Sequence, residues 1–407
     1  MVIFIMNKKI KLEQLKNNIF TKYPSRDVIC FLNGDESENL SDVATYFINH
    51  EIKTILVPKN VVIKNSTPYF EIFYENVRIR VFESIQKEEW ILGMYTSGST
   101  SDPKLFTFTK EQISLTLDWY ERIYPTTADS IIVSLMPVSY NFTFIAGVLN
   151  AIRKKCKFKK LSPEDVIHFL NVNTEKFDRI IILANPVILD ILSKHIDEIS
   201  DKSKIMIDSG GAPLSTACIN WFYQNGIKIY EGYGLTETCS LTHFNTTISE
   251  ANIGTVGNGF PGVETNIMTI EGKPRIVINS KNIGREFSTT RFVSFQNTST
   301  LVTGDIGRIR KNGSLEILGR SSDTCVNGFW PKDTLEFLGS SFPTQCILVE
   351  HLTEDFVRIS FYQKITSEEL ETVRLSLSKK LQIKPQNIEI LESCSELTDS
   401  MKLQRKK

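Results

Sequence analysis

Between residues 130 and 237 short apolar runs alternate with helical stretches, and no other feature constrains the fold of this chain more. The segments 130–136 (SIIVSLM), 179–184 (RIIILA) and 204–207 (KIMI) read as buried strands. The stretches 186–196 and 214–224 read as helices, with Pro186 and Pro213 at or just before their first turns, where proline is tolerated. Such alternation implies parallel strands covered by helices. After Gly254 the helices stop. Segments 266–270 and 274–279 read as strands, and 305–319 (DIGRIRKNGSLEILG) reads as a hairpin turning on Asn312-Gly313, a pair that accepts positive φ.

From Arg320 the pattern changes again, with strands at 346–350, 357–362 and 387–391. A helix over 366–381 is opened by a capping box, with Thr366 as N-cap and Glu369 three positions on. The expected class is therefore α/β. A large N-terminal domain (1–319) carries mainly parallel sheets flanked by helices, a β-rich part at 254–319 and a reduced lead before residue 90. A small α+β C-terminal lobe (320–407) follows.

Charge narrows the function classes. Lys+Arg and Asp+Glu both number 47, so a broad electrostatic footprint for nucleic acid or an anionic membrane is not expected. No apolar run approaches the roughly 20 residues of a membrane span. The opening MVIFIMNKKIK sets its basic residues after a very short apolar run, the wrong order for a secretory signal. The 7 cysteines are scattered without a CxxC pair, which argues against a zinc site or a disulfide framework and for a cytoplasmic protein with reduced thiols.

Chemistry concentrates in a few turns. The stretch 95–104 (YTSGSTSDPK) gathers Thr96, Ser97, Gly98, Ser99, Thr100 and Lys104 in one short loop. Backbone N–H groups, hydroxyls and an ammonium suit a polyphosphate. It is not a Walker loop, since no second glycine precedes the lysine and no Ser or Thr follows it. Alone it also reads as a polar surface turn. Ser209-Gly210-Gly211-Ala212-Pro213 follows one strand, and Gly232-Tyr233-Gly234-Leu235-Thr236-Glu237 follows the strand expected at 227–230. Ligands in α/β folds sit at such carboxyl ends. Tyr233 offers a face for a base and Glu237 a hard oxygen for Mg²⁺. Further on come Thr303-Gly304-Asp305, expected as an acid in a turn, Gly319-Arg320, and the terminal 398–405 (TDSMKLQR).

In this order the blocks resemble the adenylate-forming superfamily of acyl-CoA synthetases, peptide-synthetase adenylation domains and luciferases. Its pattern is YTSGSTGxPK, a GGAPL-like turn, YGxTE, TGD, GRxxD and a terminal TxxGKxxR. The resemblance starts near Trp90 and runs to the end. It implies ATP and Mg²⁺ as cofactors and a small carboxylic acid as substrate, with CoA or the phosphopantetheine of an acyl or aryl carrier protein as acceptor. By that resemblance Thr96, Ser97, Gly98, Ser99, Thr100 and Lys104 hold the phosphates. Gly211, Ala212 and Pro213 line the adenine slot, Tyr233 stacks on the base, and Gly234 is a further ATP-binding position. Thr236 meets the α-phosphate, Glu237 the metal, and Asp305 with Arg320 the ribose. Lys402 bridges the acid's carboxylate and the nucleotide, although it also reads as a solvated lysine in a basic tail.

The chain departs from the pattern at several places. Ser101 stands where the loop glycine is usual, Ser322 at the hinge position, and Met401 before the terminal lysine. The lead before the loop is short. No acidic residue occurs between Met136 and Asn150, where relatives that take α-amino acids place an aspartate. The segment 137–144 (PVSYNFTF) instead resembles a PxxHNxxL segment of aryl-acid ligases and a PxSYxxGL segment of short acyl-CoA synthetases. Tyr140, Asn141 and Gly210 are thus acid-pocket candidates, and an aryl or short acyl acid is expected. An aromatic-rich strand end is the competing reading of the same segment. At the level of function, the competing readings are a degenerate relative that binds without turnover and an adenylate former with an amine acceptor.

Overall fold

The computed structural model describes residues 8–22, 28–34, 38–63, 68, 70–83, 89–96, 103–246, 249, 251–288, 293–294, 299–391, 397, 402–403 and 405. Ile131–Ser134, Ile180–Ala184, Ile205–Ser209 and Lys228–Tyr233 pair in parallel, as the alternation implies. Three of them (IIVS, IIILA, IMIDS) are buried along their whole length, as expected of parallel strands covered on both faces. Lys157–Lys160 extends this sheet in parallel on one side. His243–Asn245 and Asn258–Gly259 close it antiparallel on the other, giving a 7-stranded sheet.

The helices begin where side chains can satisfy their first N–H groups. Asn185 accepts from Ile188 N at 3.1 Å ahead of helix Pro186–Lys194, with Pro186 in the first turn. Ser215 accepts from Cys218 N at 3.1 Å and starts helix Thr216–Gln224, so Pro213 stays in the preceding turn. Thr109 and Gln112 form a reciprocal box, 3.3 and 3.0 Å, at the head of helix Lys110–Ile123.

An 8-stranded sheet lies beside this one. Val28–Asn33, Lys53–Leu56 and Trp90–Tyr95 pair in parallel at its centre, and antiparallel strands flank them on both sides. One hydrophobic core, including Leu56, Phe108, Trp119, Ile181 and Phe222, joins the two sheets. A 4-stranded antiparallel sheet follows, with the 305–319 hairpin turning at Gly313 (φ 84°). The last lobe packs Pro331–Gly339 and Ser367–Leu381 on a 3-stranded sheet around its own core of Leu335, Val357, Phe361 and Leu377. The Thr366–Glu369 box is present, at 3.2 and 2.7 Å.

Two local expectations are corrected. Tyr233 does not follow its strand but ends it, because Lys228–Tyr233 keeps pairing partners through His243. Asp305 is not in a turn; it lies inside strand Thr300–Ile309, paired with Arg320, just before a bulge between Ile306 and Gly307. The segment after Pro137 turns helical, with a π-helical run Thr143–Leu149 whose residues are all buried, so it is not a strand end. Among the described residues no helix is long and apolar enough to cross a membrane.

Candidate active site

The loop expected to hold phosphate rises between the antiparallel strands Trp90–Tyr95 and Leu105–Thr109. Its neck is pinched twice: Thr96 N donates to Lys104 O at 2.8 Å, and Lys104 N to Thr96 Oγ1 at 2.9 Å. Ser97, Gly98, Ser99, Thr100 and Ser101 lie outside the described residues. The Lys104 ammonium sits 3.2 Å from Glu286 on the neighbouring strand, half-exposed.

The parallel strands deliver the next residues to one edge. Gly210, Gly211, Ala212 and Pro213 follow strand Ile205–Ser209, and the last three are exposed. Tyr233 is buried, and its hydroxyl donates to Asp305 Oδ2 at 2.8 Å. Arg320 Nη1 donates to Asp305 Oδ1 at 2.7 Å. Tyr233, Asp305 and Arg320, far apart in sequence, thus form one unit. Gly234 lies so close to Ser240 that a Cβ there would fall 1.9 Å from the Ser240 oxygen.

Burial raises the Glu237 carboxyl above its usual range; its own backbone N–H opposes this, Asp305 adds to the rise, and Arg320 and Lys104 lower it. A desolvated carboxylate beside these groups suits a divalent cation. No group of at least 3 His, Cys, Asp or Glu side chains is arranged for a metal among the described residues, so Glu237 would hold Mg²⁺ together with phosphate oxygens and water. Thr236 shares this short helical turn, and its carbonyl accepts from Asn141 Nδ2 at 3.3 Å.

Lys402 reaches this edge from the far end of the chain. Its ammonium lies 5.2 Å from the centre of the Tyr140 ring. It also fills the space beside Gly211, where a Cβ would meet Lys402 Nζ at 2.7 Å and the Tyr140 hydroxyl at 2.9 Å. The tail is anchored by Arg405, which donates to both oxygens of buried Asp323 at 2.8 and 3.0 Å. Asp323 also accepts from Arg320 N at 2.7 Å. Lys402 is therefore half-buried at this edge, beside Gly211 and Tyr140.

The AMP-binding enzyme family model matches residues 31–283, more than half of the chain. This chain belongs to the AMP-binding enzyme family. The match begins well before Trp90, which corrects the expectation that the resemblance starts there: strands Val28–Asn33 and Lys53–Leu56 build the family's sheet in parallel with Trp90–Tyr95. The chain is similar to a 3,4-dihydroxybenzoate–[aryl-carrier protein] ligase of Bacillus anthracis, 25% identical over 238 residues, covering 58% of this chain and 52% of that protein. It is also similar to a malonate–CoA ligase of Arabidopsis thaliana, 25% identical over 299 residues, covering 64% and 46%. The chain spans about half the length of these curated relatives. Among solved structures, ATP-bound MatB from Rhodopseudomonas palustris superposes with TM-score 0.71 at 14% identity over 97% of this chain and 91% of that one. The O-succinylbenzoate Coenzyme A synthetase MenE of Bacillus subtilis, in complex with ATP and magnesium ion, gives TM-score 0.67 at 17% identity over 99% and 95%. These likenesses show the fold.

Asp323 closes the GRxxD block, whereas Lys273, Asp190 and Glu336, which hold the structure around the candidate site, lie in no motif. Asp323 anchors the tail, and Lys273 donates to the carbonyls of Ser321 and Asp323, both at 2.7 Å. Asp190, buried on helix Pro186–Lys194, accepts from Cys346 N at 2.7 Å and from the Gln363 amide, so it ties the last lobe to the large domain. Glu336 accepts from Thr216 N at 2.8 Å across the same seam.

Asp208 is the other unforeseen acid. It is fully buried on strand Ile205–Ser209, and burial pushes its carboxyl up to about 7, opposed only by the hydroxyl of Tyr124. A folded-state pKa above the unfolded value of about 3.9 stabilises below that value and loses the contribution as pH rises through about 7. Asp208→Asn removes this loss. The variant is expected to gain on wild type between pH 5 and pH 8 by on the order of a few kcal/mol in urea unfolding. Glu231, also raised to about 7 by burial, is common to both proteins and cancels. A stability difference independent of pH would refute the assignment.

Proposed function

We propose that this chain activates a small carboxylic acid with ATP, giving acyl-AMP and pyrophosphate, and then passes the acyl group to a thiol. The observation that supports this most is the Lys402 ammonium seated between Gly211 and Tyr140 at the carboxyl edge of the parallel sheet. A carboxylate and an α-phosphate repel each other, and a cation between them offsets the repulsion as charge shifts in the transition state. Positioning and positive charge suffice, so no acid–base pair is required.

In this reading Thr96, Ser97, Gly98, Ser99, Thr100 and Lys104 receive the β- and γ-phosphates, with Lys104 leaving Glu286 to do so. Gly211, Ala212, Pro213, Tyr233 and Gly234 border the adenine. Asp305 keeps lone pairs for the ribose hydroxyls while Tyr233 and Arg320 hold its orientation. Thr236 meets the α-phosphate. Mg²⁺ bound at Glu237 would neutralise phosphate charge. Tyr140, Asn141 and Gly210 border the acid, for which an aryl or short acyl compound is favoured. The acceptor is CoA or the phosphopantetheine of a carrier protein.

Acid-dependent exchange of labelled pyrophosphate into ATP, over a panel of aryl and short acyl acids, tests this reading. Exchange with at least one acid is expected. ATP binding without exchange by any acid would instead indicate a binding protein without turnover. Thioester formation with CoA, with holo-carrier protein, or amide formation with an amine separates the acceptors.

The lobe 320–407 is proposed to swing about Ser321–Ser322 between the two half-reactions. Asp190 then holds the adenylating arrangement through Cys346 and Gln363. Hydrogen bonds to a charged group are worth about 1.5–3 kcal/mol. Asp190→Ala is expected to slow pyrophosphate exchange roughly tenfold or more. Thioester formation from supplied acyl-AMP should fall much less. Equal losses in both half-reactions would point to a general folding defect instead.

A further inference from the structure

A cavity of about 250 Å³ opens at the amino edge of the parallel sheet, opposite the candidate active site. Arg179 directly precedes strand Ile180–Ala184, Ile205 and Lys228 open the next two strands, and Thr246 follows the antiparallel His243–Asn245. The glycine turn and Gly234 leave the other ends of these strands. At about 3.3 Å per residue, such short strands set the two edges roughly 15 Å apart. One wall is the sheet itself. Register puts Met206 opposite Lys228 and Asp208 opposite Tyr230, so these side chains share a face. Ile123 and Pro125, at the end of helix Lys110–Ile123, form the facing wall. Tyr124, between them, donates to Asp208 on that same face and so fixes the helix end over the sheet.

The lining carries two cations that no carboxylate holds. Arg179 is half-buried, its Nε is buried without a hydrogen-bond partner, and no acceptor among the described residues bonds its guanidinium. Asp178, its neighbour in the chain, feels the charge, but its two oxygens accept from Thr127 and Ser130, both at 2.6 Å. Lys228 is exposed at the rim, and no ion pair holds it among the described residues. Ser203, also on the lining, donates its N and Oγ to Asp201 Oδ1 at 2.9 and 2.7 Å. Both nearby acids are therefore held by hydroxyl partners and not by the cations. A buried donor left unpaired costs about 1–3 kcal/mol, and it calls for a partner that the chain itself does not supply. Tyr230 and Thr246 add hydroxyls to the lining, while Met206, Ile123 and Pro125 give it an apolar side.

We propose that this cavity is a second small-molecule site, and that it takes a phosphate monoester with a short apolar body. Two cations match the charge of about −2 that such a monoester carries near pH 7. A guanidinium fork bonds two phosphate oxygens at once, and Nε is one of its donors. Lys228 adds a point charge at the rim. The volume lies just below the roughly 300–1,000 Å³ of pockets for drug-sized ligands, so the body is small, and the apolar side gives it a surface to cover. None of the lining residues is assigned to the nucleotide or the acid, so the site stands whether or not the chain activates an acid.

Isothermal titration calorimetry of the full chain with phenyl phosphate, inorganic phosphate and benzenesulfonate tests this. Phenyl phosphate is expected to bind with a Kd of about 1 mM or tighter. It should bind at least about tenfold more tightly than either of the others, since inorganic phosphate lacks the apolar body and benzenesulfonate the second charge. Arg179→Gln should weaken phenyl phosphate at least about tenfold, the loss expected for hydrogen bonds to a charged group. Lys228→Ala should weaken it at least about threefold, and that side chain is exposed, so the variant keeps the fold. Lys104→Ala, in the loop assigned to the phosphates of ATP, should leave the Kd within about twofold of wild type. Binding that Lys104→Ala removes and Arg179→Gln keeps would put the anion in the nucleotide site and overturn the proposal. No binding of phenyl phosphate, or equal affinity for all three anions, would overturn it too and leave a water-filled basic groove. Should Arg179→Gln fail to fold, an unchanged Kd in Lys228→Ala would be enough to overturn it.

Discussion

Lys402→Ala should lower acid-dependent pyrophosphate exchange by about 10²–10³-fold, the loss typical when one preorganised charge donor is removed from a transition state. Thioester formation from supplied acyl-AMP should change little. The asymmetry follows from charge. In the proposed reaction a carboxylate and a polyphosphate meet before adenylation, and Lys402 Nζ lies at Gly211 and over Tyr140. After adenylation the carboxylate has become the uncharged acyl half of a mixed anhydride whose phosphate keeps one negative charge, and the repulsion between two anions is gone. Arg405 on Asp323 keeps the tail in place, so the alanine variant loses a charge and not the docking of the chain end. Unchanged exchange in Lys402→Ala would remove the assigned role, and an equal loss in both half-reactions would move the lysine from chemistry to lobe docking.

The parts legible in the sequence are those with local signals. The strands 131–134, 180–184 and 205–209 announced themselves as apolar runs between helix starts, and Thr366–Glu369 wrote its own capping box. The first sheet was illegible because Val28–Asn33 (VICFLN) and Lys53–Leu56 (KTIL) are short, buried on both faces and carry no helix-like or alternating period. Helix Pro331–Gly339 was missed although Pro331 opens it and Asp333 accepts from Trp330 N at 2.8 Å, since only 9 residues carry the pattern.

Motif order singles out Tyr233, Asp305, Arg320 and Lys402; the fold joins the first three by hydrogen bonds and sets Lys402 beside Gly211 and Tyr140. Pairings across long sequence distances had no local trace. Asp323 and Arg405 meet over 82 positions, and Asp190 and Cys346 over 156. Asp208 escaped for a related reason. It is one acid near the end of an apolar run (IMIDS), and its burial is set by sheet register, opposite Tyr230 and beside Gly232.

Gly211→Ala should separate two roles that the sequence assigns to one turn. Gly211 has φ +82°, so alanine there is strained by about 1–2 kcal/mol. Its new methyl would also stand 2.6 Å from Lys402 Cε and 2.7 Å from Nζ. The lysine stem is flexible, so the protein can fold by expelling the ammonium from its seat. A melting temperature lowered by only a few degrees is therefore expected, together with an exchange rate reduced by about 10²-fold. The decisive measurement is the double-mutant cycle with Lys402→Ala. If alanine acts by displacing the ammonium, the double variant should be within about threefold of Lys402→Ala alone, because the lysine can be lost only once. If alanine acts by deforming the adenine-bordering turn, the two losses should multiply and ATP binding should weaken in parallel. A multiplicative result with weakened ATP binding would assign Gly211 to the nucleotide and leave Lys402 positioned by Tyr140 and Arg405.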